Sequence, residues 1–155
     1  MKKISSKDVE DVAFRVARKF REYGEPIPEF STRTPETLES CLNTPFQTFS
    51  KKHLYPGFIS KASILFYLII KNHPLQNGNK RLAITTLQLF LLKNNKWLNT
   101  DEESLYSFTI WVAESLAMLQ RPVVKCIEYY IQKHLVKIDI DHPEITQFTG
   151  QPLLF

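Results

Sequence analysis

A chain of 155 residues that is 43% hydrophobic has the size and apolar content of one ordinary domain, and its longest apolar run, residues 64–70, falls far short of the roughly 20 residues a helix needs to cross a bilayer. Residues 1–8 turn polar and acidic where a secretion signal needs its apolar stretch, and Cys41 and Cys126 form no C-x-x-C pair, so a soluble cytoplasmic protein with two reduced, buried thiols is expected. The net charge of +4 does not call for nucleic acid or a membrane: residues 1–22 mix seven Lys or Arg with four Asp or Glu, and Arg15, Arg18, Lys19 and Arg21 read as a solvated helix face.

Val9, Val12, Ala13, Val16, Phe20 and Tyr23 recur at three- and four-residue steps, which predicts an amphipathic helix ending near Gly24, where Pro26 and Pro28 forbid its continuation. Thr34-Pro35-Glu36 predicts a new start, with a hydroxyl cap, proline in the first turn and an acid at the positive dipole end, followed by a short helix to about Leu42. Residues 43–57 carry Pro45 and Pro56 between aromatic residues and read as an ordered loop or small hairpin. Residues 58–72 and 82–92 are helical in pattern but apolar almost all round, which predicts two central, buried helices. Thr100 to Glu103 has capping-box spacing, and Leu105, Phe108, Val112, Leu116 and Leu119 continue one helical face. Pro122 opens the last helix, with Val123, Ile127, Tyr130, Ile131 and Leu135 inward. The expected architecture is all-α, one bundle of about six helices over residues 1–136, with a tail at 137–155 that is extended or disordered.

The most informative segment lies between the two central helices: His73-Pro74-Leu75-Gln76-Asn77-Gly78-Asn79-Lys80-Arg81. A polar loop between buried helices is costly unless something binds it. Pro74 ends the first helix and leaves His73 at its C-terminal end; Gly78 permits a tight turn and close backbone approach. The second helix begins around Asn79, so unpaired backbone N–H groups face the loop, with Lys80 and the planar fork of Arg81 adding positive charge. The composite is an anion site with a base beside it. Taken singly, each residue is ordinary: a helix-end histidine, an Asn-Gly turn, a surface pair of cations. A P-loop is excluded, because Gly78-Asn79-Lys80-Arg81 lacks the earlier glycine and the Ser or Thr after Lys that would hold Mg²⁺.

This segment resembles the Fic/Doc signature H-P-F-x-[DE]-G-N-[GK]-R, and residues 38–40 and 54–56 also look like the Doc branch leading into it; the resemblance covers about residues 38–95. It implies an all-helical fold with the loop at its centre, His73 as general base on a target hydroxyl, and Gly78, Asn79, Lys80 and Arg81 around the phosphates of ATP or another nucleoside triphosphate with Mg²⁺. Leu75 stands where the family has the Phe that anchors the loop in the core, and Asn77 where it has the acid that binds the metal, so a weak metal site is expected.

Lys80 matches the Doc form of the motif, and Ile84 occupies the position of a second arginine found in Fic adenylyltransferases. The resemblance therefore implies kinase-like transfer of the terminal phosphate to a protein, with elongation factor Tu as the implied target and a toxin as the implied role. Adenylyl transfer is the alternative within the family, and nucleotide or partner binding without transfer is the alternative of another class. The restraining motif [ST]-x-x-x-E-[GN] of many Fic proteins has only near misses, at Ser6 to Asp11 and at Thr32 to Thr37, so a separate antitoxin protein is expected as partner.

Overall fold

Helix α1 is continuous but not uniform: an α-helical turn, Ser6–Asp8, leads into a π-helical stretch, Val9–Phe14, and back to α-helix over Arg15–Lys19. The computed structural model describes residues 1–20 and 24–139. Arg21 and Tyr23 of the expected first helix, and Ile140 with the rest of the tail, therefore lie outside the described residues. The wider π turn moves the buried face by one residue, to Val9, Ala13, Phe14 and Ala17, leaving Val12 and Val16 only partly covered. The helix also stops at Lys19, short of the expected end, with Phe20 already out of helical geometry. Arg15, Arg18 and Lys19 are exposed as expected, and Arg18 pairs with Glu29 at 3.2 Å.

A single 3₁₀ turn, Phe30–Thr32, precedes α2 (Pro35–Asn43). Thr34 occupies the cap position, but its hydroxyl caps nothing. After a second 3₁₀ turn the chain forms the small hairpin β1 (Thr48–Phe49) and β2 (Lys52–His53), reversed through Ser50 and Lys51, both at positive φ. Helices α3 (Phe58–Asn72) and α4 (Asn79–Lys93) then run through the middle. Both are buried on almost every side, including Phe66, Ile69 and Ile70 of α3 and Leu82, Leu87 and Leu91 of α4, which is why their sequences lack a polar face.

Helix α5 spans Glu102–Glu114, and its cap is Asp101, whose side chain accepts the Ser104 N–H at 2.7 Å, so the capping residue is one later than Thr100. Leu116 and Leu119 do not continue its face. Ser115 turns extended, the following residues form a 3₁₀ turn, and both leucines are exposed. Helix α6 spans Gln120–His134 and buries Val123, Ile127 and Ile131 as predicted, with Tyr130 and Leu135 half-buried. An antiparallel ribbon was not foreseen: β3 (Lys96–Leu98) pairs with β4 (Leu135–Lys137), with Trp97 opposite Val136. Cys41 is buried as expected; Cys126 is exposed, because it falls on the outer face of α6. The architecture is all-α apart from these two small ribbons, and no helix among the described residues is long and apolar enough to cross a membrane.

Candidate active site

Residues 73–78 connect the C-terminus of α3 to the N-terminus of α4, and both ends of the connection are left-handed: His73 at φ 51, ψ 62 and Gly78 at φ 86, ψ 18. Pro74 disfavours a helical backbone at the residue before it, so α3 ends at Asn72 and His73 turns the chain out. Left-handed geometry costs a histidine on the order of 1 kcal/mol and a glycine almost nothing. A side chain at Gly78 would also collide, since a Cβ there would lie 2.5 Å from Ile27 Cγ1.

The loop is held from three directions. Leu75 is 5% exposed and fills the core position expected of the anchor. The Thr34 N–H donates to the Pro74 carbonyl at 2.9 Å, so the residue before α2 fastens to the loop through its backbone and not its hydroxyl. Asn79, 8% exposed, folds back as a clamp: Oδ1 accepts the Leu75 N–H at 2.8 Å and Nδ2 donates to the Leu75 carbonyl at 2.9 Å. The same Nδ2 lies 3.4 Å from His73 Nδ1, a long contact that orients the ring without fixing its tautomer. His73 is exposed, and its Nε2 has no hydrogen-bond partner among the described residues.

Gly78 provides no side-chain cap, so the first N–H groups of α4 remain directed at the loop, the first helical bond from this end running from the Leu82 N–H to the Gly78 carbonyl at 2.9 Å. Lys80 is half-exposed and pairs with no acid among the described residues. Arg81 points inward at 3% exposed, its Nη2 donating to the Glu25 carbonyl at 2.6 Å and its Nη1 to the Phe20 carbonyl at 3.2 Å. Asn77 Nδ2 is 3.4 Å from the Pro26 carbonyl. No group of three His, Cys, Asp or Glu among the described residues could hold a metal ion, and Asn77 supplies only a neutral oxygen. The segment 73–81 itself contains no carboxylate, the ligand through which Mg²⁺ is usually held beside a nucleotide's phosphates.

The arrangement thus joins an exposed imidazole, a loop with free backbone donors and two cations over one short stretch. A family model described as the Fic/DOC family matches residues 3–91, which span α1, α2, the hairpin, α3, the loop and most of α4. The chain belongs to the Fic/DOC family. Neither curated proteins nor solved structures give a significant match. Fic/DOC proteins act on other proteins by transferring a phosphate-containing group from a nucleotide, and the matched span includes every residue of the 73–81 segment.

The sequence pointed to His73, the turn at Gly78 and the start of the second helix. It did not reveal that Asn79 closes on Leu75, that Thr34 holds Pro74, or that the segment after α1 crosses the loop. Pro26-Ile27-Pro28 offered a signal for the last of these, as a rigid apolar stretch after a helix, but read only as a stop.

Proposed function

We propose that this Fic/DOC protein is a Doc-like kinase that moves the γ-phosphate of ATP to a hydroxyl side chain of a target protein. The observation that carries the reading is the combination of Lys80 and Ile84: Lys80 is a cation at the start of α4 with no acidic partner among the described residues, and Ile84 is 5% exposed inside the core, where it offers phosphates neither charge nor donor. A single cationic end suits a nucleotide held with its terminal phosphorus toward the acceptor. In the reaction His73 takes the proton of the target hydroxyl as its oxygen bonds the γ-phosphorus; the bond to the β-bridging oxygen breaks and ADP leaves. The N–H groups opening α4, Lys80 and Arg81 neutralise the phosphates, with Gly78 giving close backbone access. Asn79 positions His73 and the loop. Mg²⁺ enters on the nucleotide's own phosphates, with Asn77 at most a weak ligand.

The implied target is elongation factor Tu, and restraint comes from a separate antitoxin, since residues 6–11 and 32–37 do not form the family's restraining motif. The test is incubation with ATP labelled at the γ or the α position and a bacterial lysate. Label from the γ position on a protein is the expected result. Label from the α position identifies an adenylyltransferase, and nucleotide binding with no label on any protein identifies a binding relative.

A further inference from the structure

Three groups that face the loop's anion-binding side are already engaged, by Phe20 and by residues 25–27. The Arg81 fork donates to the Phe20 and Glu25 carbonyls, Asn77 to the Pro26 carbonyl, and Ile27, 2% exposed, rests on the face of Gly78, where even a Cβ would lie 2.5 Å from it. A Cβ at Gly78 would also lie 3.4 Å from Arg81 Nη2, so plug and fork meet at one point. In each of these three hydrogen bonds a carbonyl oxygen accepts from a side chain, which is what a phosphate oxygen would do. Pro26 and Pro28 lack N–H groups, so the stretch adds few donors that would compete for the same partners.

We propose that segment 24–28 is a displaceable plug that imitates a phosphate at Gly78 and Arg81 and must leave before a nucleotide is fully bound. The proposal rests on the phosphate-site reading above. Glu25, Pro26 and Gly24 are exposed, and the segment meets the loop through Ile27 and the Glu25 and Pro26 carbonyls. Gly24, at φ 140, has the backbone freedom a hinge requires. The exchange favours the nucleotide, because bonds from a guanidinium to a charged phosphate are roughly twice as strong as those to a neutral carbonyl. It also sets a threshold: the plugged population reduces apparent affinity by the open fraction. The plug differs in kind from restraint by a glutamate, since it acts through backbone oxygens and one aliphatic side chain.

The experiment follows alkylation of a thiol placed at the plug, in Ile27→Cys combined with Cys126→Ser; Cys41 is buried, and that burial pushes its thiol up to about 11, which keeps it slow to react. Saturating ATP with Mg²⁺ is expected to accelerate alkylation at position 27 about tenfold, and calorimetry on the same protein reports whether ATP is bound. Hydrogen exchange over residues 24–28 in the unmutated chain, expected to quicken with ATP, gives the same answer without any substitution. ATP bound with position 27 no more reactive and exchange no faster overturns the plug while leaving the phosphate site standing. ATP bound by neither protein overturns the phosphate site and the plug with it.

Discussion

Asn79 has a structural task that its residue type did not announce. As a motif residue it is expected at the phosphates; in the structure its carboxamide also holds both backbone groups of Leu75 and reaches His73 at 3.4 Å. His73, by contrast, is where the sequence puts it: at the end of α3, exposed, on a backbone made left-handed by the proline that follows. A base acts on the acceptor while other groups hold the nucleotide. His73→Ala is therefore expected to lower the transfer rate by about 10²-fold or more while the Kd for ATP stays within about twofold. Single-turnover rates with γ-labelled ATP, beside calorimetry, check both halves, and a mutant that transfers at the full rate removes His73 from the chemistry. Arg81 was legible as a cation but not as a buried one, because burial of a charge depends on carbonyls from distant residues that no local pattern announces.

Among the elements, the two central helices were legible almost to the residue because their composition leaves no polar face to mislead. The ends of α1 and α5 were less so. A π turn shifts the face of the first, and Ser115 ends the second before its apolar rhythm does. Lys61 is the odd member of α3: 5% exposed, it donates to the carbonyls of Pro45 at 3.1 Å and Tyr55, tying both ends of the hairpin segment to the helix. Burial pushes its ammonium pKa down, and the charge of Lys3 adds to this. Lys61→Met keeps the length and burial but strips two carbonyls of their donor, and is expected to cost about 2–3 kcal/mol in urea unfolding. Lys52→Met, exposed on β2, is expected to change stability by less than about 0.5 kcal/mol. Equal effects of the two would show that the Lys61 bonds contribute nothing. The ribbon of β3 and β4 escaped prediction because strands this short carry no alternation to detect, and β4 begins directly where α6 stops.

At the scale of the whole molecule, α1 is fastened to α4 along its length. Thr85 Oγ1 donates to the Ala13 carbonyl at 2.8 Å within the π stretch, and Lys93 Nζ meets Asp8 Oδ2 at 2.9 Å. Burial raises the Asp8 pKa, but hydrogen bonds from Lys93 and Ser5, with the Lys93 charge, outweigh it and hold the carboxyl below its ordinary value of 3.8. A pKa depressed in the folded state contributes stability that is complete above the unfolded value and lost as pH falls through the folded one. Asp8→Asn, which imitates the protonated acid, is expected to cost about 1 kcal/mol or less at pH 7, since both partners are about a third open to solvent at 30% and 33%. That difference from the parent is expected to close as the pH falls below 3.8, as read by urea unfolding at each pH; a gap unchanged in acid would exclude the carboxylate as its source. The class of fold was legible from the sequence because composition and periodicity report burial. Which helices touch was not, since that depends on pairs such as Thr85 with Ala13.

The turn at Asn94 and Asn95 gathers chain from both directions. Asn94 Oδ1 accepts the Lys2 N–H at 2.7 Å and its Nδ2 donates to the Lys2 carbonyl at 3.0 Å, while the Ile138 N–H donates to the Asn95 carbonyl at 3.1 Å. Residues 2 and 138 are thus moored to adjacent links of the chain. A pull applied between them loads that corner and the ribbon beside it first, and the tension bypasses the connection from His73 to Gly78. Mechanically, the candidate active-site loop sits in the slack part of the molecule.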